Sequence, residues 1–258
     1  MMHIISLGAG VQSTTMALMA AHGEIEPMPD CAIFADTGWE PRAVYDHLAW
    51  LMSGVLPYPV HIVSAGNIRE DLLARRSARG GRFLTIPAFQ LNGMGKRQCT
   101  TQYKIDPLKH KTRELLGVTR RGALPPGAVT TWIGISVDEI IRATPSRVRY
   151  QIKRFPLIEQ RMNRGDCLEW LKRRDHRVPS KSACIGCPFH DNAGWREIKA
   201  HPDEWSQALE VDASLRAEGK KQYLHRSLKP LDQVDLSTAE DRGQLNLFNN
   251  ECEGMCGV

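Results

Sequence analysis

Residues 3–20, HIISLGAGVQSTTMALMA, decide how the rest of the chain reads. A short apolar run, Ile4, Ile5 and Leu7, stops at Gly8-Ala9-Gly10. Beyond Gln12-Ser13-Thr14-Thr15, apolar residues at Met16, Leu18 and Met19 predict a helix folded back on the strand. Two glycines let the backbone turn sharply and turn successive N–H groups outward. The small hydroxyl residues then stand where a helix N-terminus offers unpaired donors and the positive end of its dipole, which makes the turn a candidate phosphate cradle. It lacks the Gly-Lys-Ser/Thr ending of a P-loop and the third glycine of a dinucleotide fingerprint.

The neighbouring stretches place this turn. Residues 31–38, CAIFADTG, form a second apolar run ending in Asp36-Thr37-Gly38, and a helix is expected from Trp39-Glu40-Pro41 to Leu51. A third strand is expected over Pro59–Val63. Another, Val129–Ile135, ends in Ser136-Val137-Asp138-Glu139 with Arg142 close behind. Strands alternating with helices predict a parallel sheet wrapped by helices, with ligands bound where strand ends meet at a switch in strand order. Glu139 and Arg142 read either as first-turn residues of a helix or as substrate and nucleotide contacts.

The cysteines are the second signal. Seven is an odd number, and their spacings suit metal binding better than a secreted disulfide framework. Cys184-Ile185-Gly186-Cys187-Pro188 is a C-x-x-C turn, which serves as a redox dithiol, a zinc half-site or an iron–sulfur half-site. Cys99 is the natural third thiolate, and His190 would complete a Cys₃His zinc set. Cys167 lies in an apolar helical stripe and reads as core first and ligand second. Cys252 and Cys256 sit in the last seven residues, where a flexible tail can carry a thiol to a site.

At 258 residues, 42% hydrophobic and 24% charged, the chain suits one large α/β domain or a domain with a smaller appendage. A net charge of +5 permits a nucleic-acid partner without requiring one. No apolar run has membrane-spanning length, and His3 stands where a signal peptide would carry its basic region, so a cytoplasmic protein with no membrane partner is expected.

Four ordered blocks carry a family resemblance. Gly8–Ser13 (GAGVQS) resembles the SGGxDS loop of the PP-loop ATP pyrophosphatases, and Phe34–Leu48 (FADTGWEPRAVYDHL) is similar to the DTG segment of phosphoadenosine phosphosulfate (PAPS) reductases in that superfamily. Arg97–Leu108 (RQCTTQYKIDPL) resembles the family's cysteine-Lys-Pro-Leu segment, and the C-x-x-C-Pro turn resembles its later cysteine pair. The departures are Gln12 for the loop's Asp, Thr100 for the second cysteine of the first pair, and Ser136 for an Arg. The tail resembles the reductases' Glu-Cys-Gly-x-His ending, with Glu253 inserted and Cys256 in place of His.

The resemblance implies a doubly wound, mainly parallel α/β domain of the adenine nucleotide alpha-hydrolase-like type over residues 1–150. A smaller helical, cysteine-bearing part over 151–258 would complete the site. It implies contacts to ATP or another adenine nucleotide, with Mg²⁺ a possible companion, from Ser6, Gly8, Gly10, Gln12, Ser13, Thr14, Asp36, Thr37, Gly38, Lys104 and Arg142. It further implies a [4Fe–4S] cluster on Cys99, Cys184 and Cys187, with Cys167, Cys252 or Cys256 as fourth ligand or one iron left open, and zinc as the alternative.

Two activities follow from it. One adenylates an acceptor in nucleic acid with pyrophosphate release and then inserts sulfur through the cluster. The other reduces a sulfonucleotide with Cys252 or Cys256 as nucleophile, beside Glu139. A non-catalytic nucleotide- or nucleic-acid-binding module with structural zinc is the third reading. The sulfur or electron donor is left open, as is a homodimer.

Overall fold

The computed structural model describes residues 1–75, 86–118, 122–217, 221–237 and 241. In chain order the main elements begin with β1 (Met2–Leu7), α1 (Val11–Ala21), β2 (Cys31–Asp36), α2 (Arg42–Trp50), β3 (Val60–Ser64) and α3 (Ile68–Leu73). A short hairpin, β4 (Phe89–Gln90) and β5 (Gly93–Met94), is followed by α4 (Asp106–Leu115), β6 (Val129–Ile133) and β7 (Gln151–Arg154). The rest is helical: α5 (Pro156–Glu159), α6 (Arg164–Arg173), α7 (Asn192–Lys199) and α8 (Pro202–Arg216).

Five strands pair in the order β3-β2-β1-β6-β7, every neighbour parallel. The α/β class with a mainly parallel sheet is therefore the observed architecture. Its central strands β1, β2 and β6 are largely buried on both faces, which is why they read as mainly apolar runs rather than alternating ones. On β1 and β2, Ile5, Leu7, Ala32 and Phe34 face a core shared with α1, α2, α5 and α6. Ile4, Cys31 and Ile33 face the other way, against Leu108 and Leu115 of α4.

The sequence proceeds outward from β1 through β2 to β3, then returns to β1's other side for β6 and β7. The switch point thus lies between β1 and β6, whose register runs from Met2 opposite Val129 to Ser6 opposite Ile133. Their carboxyl ends share one rim, and β1 ends there in the glycine turn.

The chain divides into two units. The α/β unit comprises Met1–Asp36, Arg42–Ser64 and Lys104–Ser182, so β7, α5 and α6 belong to it. The second unit comprises Thr37–Pro41, Ala65–Tyr103 and the chain from Ala183 onward, built on a core of its own that includes Trp39, Tyr103, Trp195 and Leu224. The basic run Arg147–Arg154 contains an edge strand, β7, whose Ile152 is exposed. Helix α6 starts in a capping box: Asn163 accepts from the Asp166 amide, and the Asp166 carboxylate accepts from the Asn163 amide. No helix among the described residues is long and apolar enough to cross a membrane.

Candidate nucleotide site and cysteine turn

The turn after β1 is held by its own atoms. Gly8 N–H donates to Ser13 Oγ (3.2 Å), and Ser13 Oγ–H donates to the Gly10 carbonyl (3.2 Å), which also accepts the Thr14 amide (2.9 Å). Gly10 caps α1 in an extended conformation, so the helix begins at Val11. The Ser182 hydroxyl donates to the Gly8 carbonyl from the segment after α6. Ala9, between the glycines, takes a φ of 55° and is fully buried.

Strand β6 supplies the other wall. Gly134 abuts the turn so closely that a β-carbon on it would lie 2.8 Å from the Ser13 nitrogen. Ser136 is fully buried, with its Oγ making no hydrogen bond. The following 3-10 turn, Val137–Arg142, carries Glu139 and Arg142 as an ion pair in which each side chain is only 12% exposed. Gln12 Nε2 donates to Glu139 Oε2 (3.4 Å), and Gln12 Oε1 accepts from Arg164 Nη1 (3.4 Å). Thus Gln12, Glu139 and Arg142 are brought together at the switch point with Arg164, which sequence reading missed because it looks like an ordinary helix-start residue.

Beneath the turn, Thr14 is fully buried and its Oγ1 lies 3.0 Å from His47 Nε2 of α2. Burial, with Arg177 nearby, holds the His47 imidazole down at about 4, so it is neutral at pH 7. Thr14 and His47 thus tie the first turn of α1 to α2. Ser6 pairs within the sheet opposite Ile33 and Ile133. Asp36 ends β2 and accepts from Tyr45 Oη (2.8 Å). Lys104 lies in the helical stretch Thr100–Ile105 before α4.

Thr37, Gly38, Cys99, Cys184 and Cys187 belong to the second unit. Thr37 Oγ1 donates to Glu40 Oε1 (3.1 Å) and lies 3.2 Å from Cys184 Sγ, and the Gly38 carbonyl accepts from Asn67 Nδ2 (3.0 Å). The cysteine turn closes through Cys187 N–H donating to the Cys184 carbonyl (2.9 Å). Its Ile185 N–H donates to the Trp39 carbonyl (2.9 Å), and Gly186 faces the Trp39 indole. His190 turns its Nε2 to the Cys184 carbonyl (2.9 Å). Cys99 and Cys184 both pack against the apolar core of this unit.

Among the described residues, no group of three or more His, Cys, Asp or Glu side chains is placed to hold a metal ion. The Cys184 thiol lies within reach of Thr37 Oγ1 (3.2 Å) and Glu40 Oε1 (3.6 Å). Cys167 is a core residue of the α/β unit, 0% exposed, its thiol pushed up to about 12 chiefly by burial. Of the expected ligands, Cys99, Cys184 and Cys187 belong to the second unit and Cys167 to the α/β unit. Cys252 and Cys256 lie outside the described residues.

No protein-family model and no curated protein matches the chain. Among solved structures it is similar to phosphoadenylyl-sulfate (PAPS) reductase from Candida auris in its phosphate complex, at 13% identity and a TM-score of 0.46. That similarity covers 69% of this chain and 74% of the other.

Proposed function

We propose that this chain is a PP-loop-type enzyme that seats an adenine nucleotide with its phosphates on the Gly8–Ser13 turn. The supporting observation is the position of that turn at the β1–β6 switch point, with Gly134 packed against it and Arg142 and Arg164 at its edge. The first amides of α1 have no partner within the helix, and its dipole favours negative charge there. Two arginines add charge-assisted donors suited to phosphate oxygens.

With ATP bound, an acceptor oxygen attacks the α-phosphorus, the bond to the β-phosphate oxygen breaks, and pyrophosphate leaves with acceptor-bound AMP remaining. Nucleic acid is the acceptor class this reading takes, in keeping with Arg147, Arg149 and Lys153 near the edge strand of the same unit.

A second reading is favoured by Gln12. An amide held between Glu139 and Arg164 offers no carboxylate for Mg²⁺ within the turn, which suits a nucleotide held by arginines alone. In that case a sulfonucleotide is itself the substrate and a C-terminal thiol attacks its sulfur. One experiment separates the two. The full chain is supplied with ATP and RNA or DNA while pyrophosphate is measured, and separately with PAPS or APS and thioredoxin while sulfite is measured. Pyrophosphate alone supports the first reading and sulfite alone the second. Release of neither, together with no nucleotide binding, overturns both.

A further inference from the structure

The 3-10 turn Val137–Arg142 has two faces. Glu139 and Arg142 turn inward as an ion pair, and Glu139 reaches the glycine turn by accepting from Gln12 Nε2 (3.4 Å). The residues between them do the opposite: Ile140 is 52% exposed and Ile141 87%. Val137 is exposed as well. A single apolar side chain in water needs no explanation, but three in one turn at the lip of a candidate site form a patch that a ligand can cover.

The chain that follows is basic throughout. Residues 143–154, ATPSRVRYQIKR, carry Arg147, Arg149, Lys153 and Arg154 and no carboxylate. Arg154 pairs with Glu159, whereas Arg147, Arg149 and Lys153 have no ion pair among the described residues. Ser146 Oγ accepts from the Val148 amide (3.2 Å) and lies 3.1 Å from Gln151 Oε1, which folds the segment back on β7. Lys153 Nζ then donates to Thr144 Oγ1 (3.5 Å), so the end of β7 stands beside the end of the 3-10 turn. Burial, with Arg147 and Lys109 of α4 nearby, holds the Lys153 ammonium below its ordinary value. Like charges gathered in this way create a positive field that a polyanion relieves.

We propose that the exposed face of Val137–Arg142 and the acid-free segment 143–154 form a track for a single-stranded nucleic acid. Ile140 and Ile141 support an unstacked base, and Arg147, Arg149 and Lys153 hold backbone phosphates. This inference rests on the reading of nucleic acid as the acceptor and specifies which strand form is taken and where it lies. Guanidinium groups match phosphate oxygens bidentately, which fits two exposed arginines one residue apart. Cations alone would serve a duplex equally well. The apolar pair decides for a single strand, because base faces are free to meet it only where they are not stacked on one another.

The test is fluorescence anisotropy of the full-length protein with labelled oligo(dT) and oligo(U) of about twelve nucleotides, within the usual span of a single-strand site. ATP titration of the same samples by calorimetry reads the glycine turn separately. Saturable binding of either oligonucleotide is expected, weakening about twentyfold between about 50 mM and about 200 mM NaCl, as three phosphate contacts on a single strand imply. Arg147→Ala/Arg149→Ala/Lys153→Ala should lose about tenfold in affinity and most of the salt dependence. Ile140→Ser/Ile141→Ser should lose about fivefold with the salt dependence kept, since what it removes is apolar contact. Both variants change exposed or half-exposed side chains, and unchanged melting temperatures show that they fold. Equal oligonucleotide binding by the wild type and the triple variant would overturn the proposal, as would tighter binding of a duplex of the same length. Failure to bind either oligonucleotide in a protein that binds ATP would overturn this track and leave the nucleotide seat standing. Oligonucleotide binding without ATP binding would support the track and remove the seat.

Discussion

Gly134 of the β6 end stands directly against the Ser13 backbone, where an added β-carbon would come within 2.8 Å of nitrogen and 2.9 Å of Cα. Backbone cannot rotate aside as a flexible side chain can, so Gly134→Ala must displace the turn or the strand. Overpacking of this kind costs about 1–3 kcal/mol of stability. The larger effect is expected on the ligand: nucleotide affinity falls at least tenfold, about 1.4 kcal/mol, because the turn's amides no longer converge. Calorimetric titration of folded Gly134→Ala with ATP checks this.

Ala9 occupies the left-handed region at φ 55°, where an L-residue costs about 1–2 kcal/mol. Glycine removes that cost but also removes a buried methyl and frees the unfolded chain, terms of about 1 kcal/mol in the other direction. Ala9→Gly is therefore expected to stay within about 1 kcal/mol of wild type and to keep nucleotide binding. Ala9→Val, β-branched and without space, is expected to unfold at markedly lower denaturant. Urea melts of both variants test the pair of outcomes.

His47 gives the α/β unit an acid limb. Its folded pKa of about 4 lies below the ordinary value of 6.5, so between these pH values the unfolded chain binds more protons than the native one. Stability is fully present above about pH 6.5 and is lost as pH falls toward 4, by at most about 3 kcal/mol for this residue. His47→Ala should flatten that limb and lower stability at pH 7 by about 1–3 kcal/mol, because Thr14 Oγ1 loses its partner inside the protein. Denaturant midpoints at pH 5 and pH 7 for both proteins provide the comparison.

Gly186 fixes the cysteine turn. A β-carbon there would meet the Trp39 ring at 2.2 Å, and Trp39 is 3% exposed with its Nε1–H donating to Gln207 Oε1 (2.9 Å). Gly186→Ala is expected to destabilise the cysteine-bearing unit by about 1–3 kcal/mol and to raise the reactivity of the Cys184 thiol by pulling it from Thr37 and Glu40. Timed alkylation of Cys184, read by peptide mass, would show the change. An unaltered rate would mean that the turn tolerates the methyl group.

The parallel sheet was legible because its central strands carry apolar runs, as at Ile4–Leu7, interrupted only by Ser6, and at Cys31–Phe34, each followed closely by turn residues. Strand β7 was not, since QIKR holds one apolar residue and that residue is exposed at the sheet edge. Asn163 and Asp166 mark the start of α6 through their capping box, a signal readable in the sequence beside the apolar stripe at Cys167. At the site, Gly8–Ser13 announced itself by composition. Arg164 and Ser182 did not, because each reaches the turn through tertiary folding from more than 150 residues away, as their bonds to Gln12 and Gly8 show. The interleaving of the two units was equally invisible, since no composition change marks Asp36/Thr37 or Ser182/Ala183.

The most direct test of the account is a comparison of adenosine, AMP, ADP and ATP binding to the intact protein by calorimetry, repeated with folded Gly134→Ala. Affinity that climbs with each added phosphate, and that the variant loses for ATP while retaining weak adenosine binding, is the predicted result. Adenosine binding as tightly as ATP, or ATP binding unchanged in the variant, would contradict a phosphate seat at the Gly8–Ser13 turn.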